Sequence, residues 1–137
     1  MVYPSYEEAV QIIKGGDYKR IPLKIELCAD MITPLMAIRR LKKVSRHVFL
    51  LESAEADKKW GRYTFVGFDP TLEFTCQNGV MRIKSGMEIK EGTMHPGDTI
   101  RRIIADNRSP VIEGMPPFTG GLVGYFSYDY INYSVTT

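Results

Sequence analysis

The chain has 137 residues, 44% of them hydrophobic and 25% charged, with 18 basic and 16 acidic side chains and a net charge of +2. That length suits one domain burying roughly two-thirds of the surface its unfolded chain exposes, and the composition argues against disorder. No apolar run approaches the ~18 residues that span a bilayer, Glu7 and Glu8 interrupt any secretory leader, and the even charge balance predicts neither a nucleic-acid nor a membrane partner.

The first predicted element is a helix. Ser5 and Glu8 form a capping box, Ala9, Val10, Ile12 and Ile13 make an apolar stripe, and Gly15-Gly16 closes it. Ile21, Leu23, Ile25 and Leu27 then alternate with Pro22, Lys24 and Glu26, the pattern of a half-buried strand with Pro22 at its edge or start. Thr33-Pro34 opens a second helix. Leu35, Ile38 and Leu41 line one side of it, and Arg39, Arg40, Lys42 and Lys43 gather toward its C-terminal end, where the helix dipole favours cations. Val48-Phe49-Leu50-Leu51 reads as a strand buried on both faces.

From Arg62 the pattern is β. Arg62 to Phe68 ends at Asp69-Pro70, and Leu72-Phe74-Cys76 leads through an Asn78-Gly79 type I′ turn into Val80 to Lys84. Ser85-Gly86 predicts another turn and Met87 to Lys90 a third strand. Asp98 or Thr99 is the expected cap of a helix carrying Ile100, Ile103 and Ile104. Ser109 to Gly121 reads as a long connection rich in proline and glycine, and Gly121 to Ile131 as a final aromatic strand. The expected fold is therefore α+β, one domain over residues 1–137, with a mainly antiparallel sheet and about three helices.

Chemistry is sparse in this pattern. With no secretory signal, Cys28 and Cys76 are expected to be reduced, packed thiols of a cytoplasmic protein. His47 and His95 have no second ligand at metal spacing and read as surface or half-buried histidines. Arg39, Arg40, Lys42, Lys43 and Arg46 lack interleaved aromatics, so a solvated helix face is expected rather than a phosphate-binding patch. Tyr125, Phe126, Tyr128, Tyr130 and Tyr133 suggest core or interface packing. Gly120, Gly121 and Gly124 match neither a Walker loop nor a dinucleotide fingerprint, and fit a close backbone approach. No nucleophile elbow is present.

A more specific signal is Phe49-Leu50-Leu51-Glu52-Ser53-Ala54, followed after a polar stretch by Gly61-Arg62-Tyr63-Thr64-Phe65-Val66-Gly67-Phe68-Asp69-Pro70. The pair resembles the N-terminal region of component I of anthranilate synthase. Ile21-Pro22-Leu23, Asp30 and Thr33-Pro34 fall in the corresponding order upstream, and Phe118 to Phe126 with Tyr128-Asp129 downstream. Ser127 stands where many relatives have glycine, and Asn132 where many have a basic residue.

The resemblance implies the family's two-layer architecture and a place in chorismate metabolism. In that family the full-length enzyme, a lyase, converts chorismate and ammonia to anthranilate and pyruvate with Mg2+, toward tryptophan, and a glutamine amidotransferase subunit supplies the ammonia. The family's chorismate and magnesium motifs belong to a C-terminal region and do not occur here. The chain is therefore expected to be a fragment with no catalytic residues, no metal ligands and no lyase activity alone.

What carries over is part of the feedback site for L-tryptophan. The matched positions are Leu51, Glu52 and Ser53, with Arg62 and Tyr63 as secondary candidates. A serine hydroxyl, a carboxylate for a ligand ammonium and an apolar backing suit an amino acid. Ser53 ending a strand with its hydroxyl on local backbone is the plain structural alternative. Component I of aminodeoxychorismate synthase shares much of this pattern, and a stand-alone amino-acid-binding module is a third reading. The combined Leu-Leu-Glu-Ser and Gly-Arg-Tyr blocks favour anthranilate synthase.

Overall fold

A computed structural model describes residues 1–52 and 63–134. The chain forms two compact units, one built from Met1–Leu27 with Thr93–Thr137 and the other from Cys28–Gly92. All strand pairings are antiparallel among the described residues, and the mixture of helices with antiparallel sheets is α+β as expected.

In the first unit, β1 (Val2–Tyr3) pairs with β2 (Lys24–Ile25). The strand expected across residues 21 to 27 is thus only two residues long, because a ladder extends no further than its partner and Pro22 has no N–H to give. Leu23, Ile25 and Leu27 are consequently exposed. Helix α1 (Tyr6–Lys14) begins with the expected reciprocal cap: Glu8 N–H donates to Ser5 Oγ, and Ser5 N–H to the Glu8 carboxylate at 2.8 Å.

Helix α3 (Pro96–Asp106) starts earlier than expected. His95, not Asp98 or Thr99, is its N-cap, and Pro96 occupies the first turn, where a missing N–H costs nothing. Pro96, Thr99 and Ile103 share its buried face, which turns Ile104 outward. The far end of α3 holds the segment after α1: Lys19 and Arg20 N–H groups both donate to Arg108 O, and Arg20 Nε to Asn107 Oδ1 at 3.0 Å.

The long connection after α3 is irregular as expected, but the aromatic strand is not formed. Residues 121–127 have no ladder partner among the described residues, and a 3₁₀ turn (Tyr128–Tyr130) leads into α4 (Ile131–Ser134). An extended segment without a neighbouring strand leaves its backbone unpaired, so local i to i+3 bonds such as Tyr130 N to Ser127 O replace the ladder. Packing follows suit: Tyr125 is 92% and Tyr128 88% exposed, whereas Tyr130 and Tyr133 are half-buried.

In the second unit, α2 (Pro34–Leu41) has its expected Thr33 cap, with Met36 N–H donating to Thr33 Oγ1. Strands β3 (Val48–Glu52) and β4 (Thr64–Phe68) make a two-stranded sheet. Among the described residues β3 pairs with β4 alone and is not buried on both faces; Val48, Phe49 and Leu50 are half-buried and Leu51 and Glu52 exposed.

A second sheet runs β5 (Glu73–Gln77), β6 (Val80–Ser85) and β7 (Glu88–Gly92) in order. Asn78 at φ 52° and Gly79 at φ 78° give the two positive dihedrals that a type I′ turn requires. Met81 on the central strand is 3% exposed, while its register partner Cys76 sits on an edge strand and is exposed. Cys28 is exposed too, its Sγ 3.0 Å from Asp30 Oδ1. Both cysteines are free, as expected, but neither is packed.

Candidate functional site

The β3–β4 ladder carries two of the predicted site residues, Leu51 and Glu52. Its register places Leu51 opposite Phe65 and Glu52 opposite Thr64. Side chains alternate along a strand, so Phe49, Leu51, Phe65 and Gly67 share one face and Val48, Leu50, Glu52, Thr64, Val66 and Phe68 the other. Tyr63, just before β4, stacks on Phe65 with centroids 5.7 Å apart and planes at 23°. Leu51, Phe65 and Tyr63 thereby make a partly exposed apolar strip, a surface suited to a flat ring or an alkyl group.

Glu52 points to the opposite face from Leu51 and forms no ion pair among the described residues. Its exposed carboxylate stands at the last residue of β3. Ser53 and Arg62 lie outside the described residues. The structure thus brings Leu51 and Tyr63 together through Phe65 and sets Glu52 on the reverse side. Phe65, which the sequence motif does not single out, shares this face with Tyr63, as period-two alternation along the strand requires.

Two contacts hold this ladder in position. Ser45, which is buried, donates its hydroxyl to His47 O at 2.7 Å and accepts from Asp69 N–H at 2.9 Å. One side chain therefore ties the exit of α2 to the entry of β3 and the end of β4. Asp69 at φ 50° then turns the chain out of β4. His47 Nε2 lies 3.3 Å from Glu73 Oε1, on the first residue of β5.

The basic residues Arg39, Arg40, Lys42, Lys43 and Arg46 are all exposed, as a solvated face requires. Among the described residues, no three histidine, cysteine or carboxylate side chains are placed to hold a metal ion. No described helix is long and apolar enough to cross a membrane.

Comparison with known proteins gives a consistent result. Anthranilate synthase component 1 of Acetivibrio thermocellus is 36% identical over 135 residues, covering 97% of this chain and 26% of that protein. The proteins of the same name from Pseudomonas aeruginosa and Aquifex aeolicus are 35% identical over 129 residues and 34% identical over 130, covering 93% and 94% of the chain and 26% of each relative. The chain thus spans about a quarter of the length of these relatives. No family model matches it, and no solved structure does.

Proposed function

From the sequence relationship to anthranilate synthase component 1, which runs along nearly the whole chain, we propose that this protein supplies the N-terminal regulatory part of the chorismate-using subunit of anthranilate synthase. The observation that carries the reading is the 36% identity across 97% of the chain. In this reading chorismate and ammonia yield anthranilate and pyruvate in a protein of the relatives' length, in the cytoplasm. A glutamine amidotransferase partner supplies the ammonia, and the lyase chemistry resides outside residues 1–137. This reading assigns no catalytic step to residues 1–137.

The role assigned to this chain is to contribute one wall of a tryptophan inhibitor site. The strip of Leu51, Phe65 and Tyr63 supports contact with an indole ring, since it is apolar, aromatic and partly open. Glu52, on the reverse face, meets the same ligand's ammonium only around the end of β3, with Ser53 as an added hydroxyl and Arg62 as a candidate for the carboxylate. Inhibition follows if tryptophan binds the inactive arrangement of the larger protein more tightly than the active one.

The test is to express the complete reading frame that contains this chain and assay its product from chorismate and ammonium with magnesium. Anthranilate formation inhibited by tryptophan supports the reading. Formation of aminodeoxychorismate instead assigns the chain to the folate-pathway relative. Catalysis without tryptophan sensitivity removes the regulatory role.

A further inference from the structure

We propose that His95 is a proton-sensitive latch, fastening the aromatic segment that ends at Tyr133 to the first turn of α3. Two hydrogen bonds define the latch. His95 Nδ1 accepts from Gly97 N–H at 3.1 Å, so that nitrogen carries no hydrogen. Nε2 lies 2.7 Å from the backbone carbonyl oxygen of Tyr133, which can only accept, so Nε2 carries the ring hydrogen and donates.

A single neutral tautomer satisfies both bonds. The other tautomer reverses donor and acceptor at each end. The imidazolium keeps the bond to Tyr133 but places a second hydrogen against the Gly97 N–H, and the cap is lost.

Charge acts in the same direction. A cation at the N-terminus of α3 meets the positive end of the helix dipole. On α3 itself the nearest carboxylate in sequence, Asp98, is engaged by Arg101 at 2.9 Å. On the 3₁₀ turn, Asp129 is the acidic residue, and among the described residues neither carboxylate pairs with the ring.

Among the described residues, the rings that approach His95 from the segment before Ser134 are the phenols of Tyr133 and, by way of Gly97, Tyr130. Tyr133 meets the ring edge-on with centroids 5.9 Å apart, and Tyr130 packs on Tyr133 at 6.0 Å. Phe126 extends the cluster, 4.6 Å from Tyr130. The fit is close, since a side chain at Gly97 would press on the His95 ring at 3.1 Å and on the Tyr130 hydroxyl at 3.2 Å. Protonation therefore drives the ring away from the Gly97 N–H, and because the same ring still holds Tyr133, the cluster of Phe126, Tyr130 and Tyr133 shifts with it.

The test uses the full chain labelled with nitrogen-15. At neutral pH the His95 ring spectrum shows the tautomer protonated on Nε2. From about pH 8 to about pH 5, Gly97 amide protection, corrected for intrinsic exchange, falls roughly tenfold, and the Tyr130 and Tyr133 resonances move with the His95 ring. His95→Asn retains a capping oxygen but gains no proton, so the pH response at Gly97 disappears, whereas His47→Gln leaves it intact. The proposal is overturned by a neutral ring protonated on Nδ1. It is equally overturned by tail resonances that stay fixed through the ring's titration, or by a pH response that survives in His95→Asn.

Discussion

The ring of Phe49 lies directly over Gly67, its register partner on β4, and occupies the space any side chain at position 67 would need. A Cβ there would overlap Cε1 and Cζ of the ring and stand 2.9 Å from Cδ1. The absence of a side chain at Gly67 thus allows an aromatic ring to lie flat across a narrow two-stranded sheet, on the face that also carries Leu51 and Phe65. Gly67→Ala is expected to destabilise the protein by about 1–3 kcal/mol through overpacking. Combined with Phe49→Ala, the same change costs less than the sum of the two, because the obstructing ring is gone. Urea unfolding of the two single variants and the double variant checks both statements; strict additivity contradicts them.

Ser45 serves three segments with one hydroxyl. Replacing it with alanine removes the hydroxyl partner of Asp69 N–H and His47 O at a part-buried place. A loss of about 0.5–1.5 kcal/mol is expected. Asp69→Gly acts in the opposite sense on the same turn, because a non-glycine residue at φ 50° is strained by roughly 1 kcal/mol or more. Its denaturation midpoint is expected to rise, provided the Ser45 bond to the backbone N–H is kept. A fall in the midpoint for Asp69→Gly, or no change for Ser45→Ala, contradicts this account of the turn.

Exposed ion pairs in the first unit set a pH dependence of known sign. Lys19, hydrogen-bonded to Asp17 at 2.7 Å, holds that carboxyl below its ordinary range, and the same bond raises the Lys19 ammonium. Lys24, at 2.6 Å, likewise lowers Glu26. A lowered carboxyl contributes stability above its unfolded value and loses it as pH falls through the folded value; the raised ammonium loses its contribution only as pH rises through its own. All three groups are exposed, so the contributions are small and screened by salt. Carbon-13 titration of Lys19→Ala is expected to return Asp17 to the ordinary range while leaving Glu26 lowered. An unchanged Asp17 contradicts the assignment of cause.

Local chemistry made much of this fold legible. The Ser5 and Glu8 box, Thr33-Pro34 and Asn78-Gly79 each specify a backbone conformation within four residues, and each is present in the structure. Elements that depend on a distant partner were not legible in the same way. Ile21 to Leu27 and Gly121 to Ile131 both have strand-like composition, yet among the described residues the first has two residues of ladder available and the second none. His95 escaped notice as a cap because histidine is not among the usual capping residues; the following Pro96 was the usable signal. At the candidate site, alternation fixes which residues share a face, and that separates Leu51 from Glu52, two neighbours that a motif reads as one block.

That separation makes the ligand proposal testable one side chain at a time. If Glu52 accepts from the tryptophan ammonium, Glu52→Gln removes a charge-assisted bond and keeps the shape. In the protein of the relatives' length the tryptophan concentration needed for half inhibition is then expected to rise about tenfold or more, with uninhibited turnover unchanged. Leu51→Ala and Tyr63→Ala act on the opposite face and are expected to weaken inhibition through lost apolar contact, together with a modest loss of stability. Ser53→Phe places a large ring where a small hydroxyl stands and is expected to abolish inhibition while catalysis persists. Residues 1–137 alone hold one wall of the proposed site, so calorimetry with tryptophan is expected to show weak or undetectable binding. Micromolar affinity in this chain overturns the two-walled arrangement, and wild-type inhibition in Ser53→Phe removes Ser53 from the site.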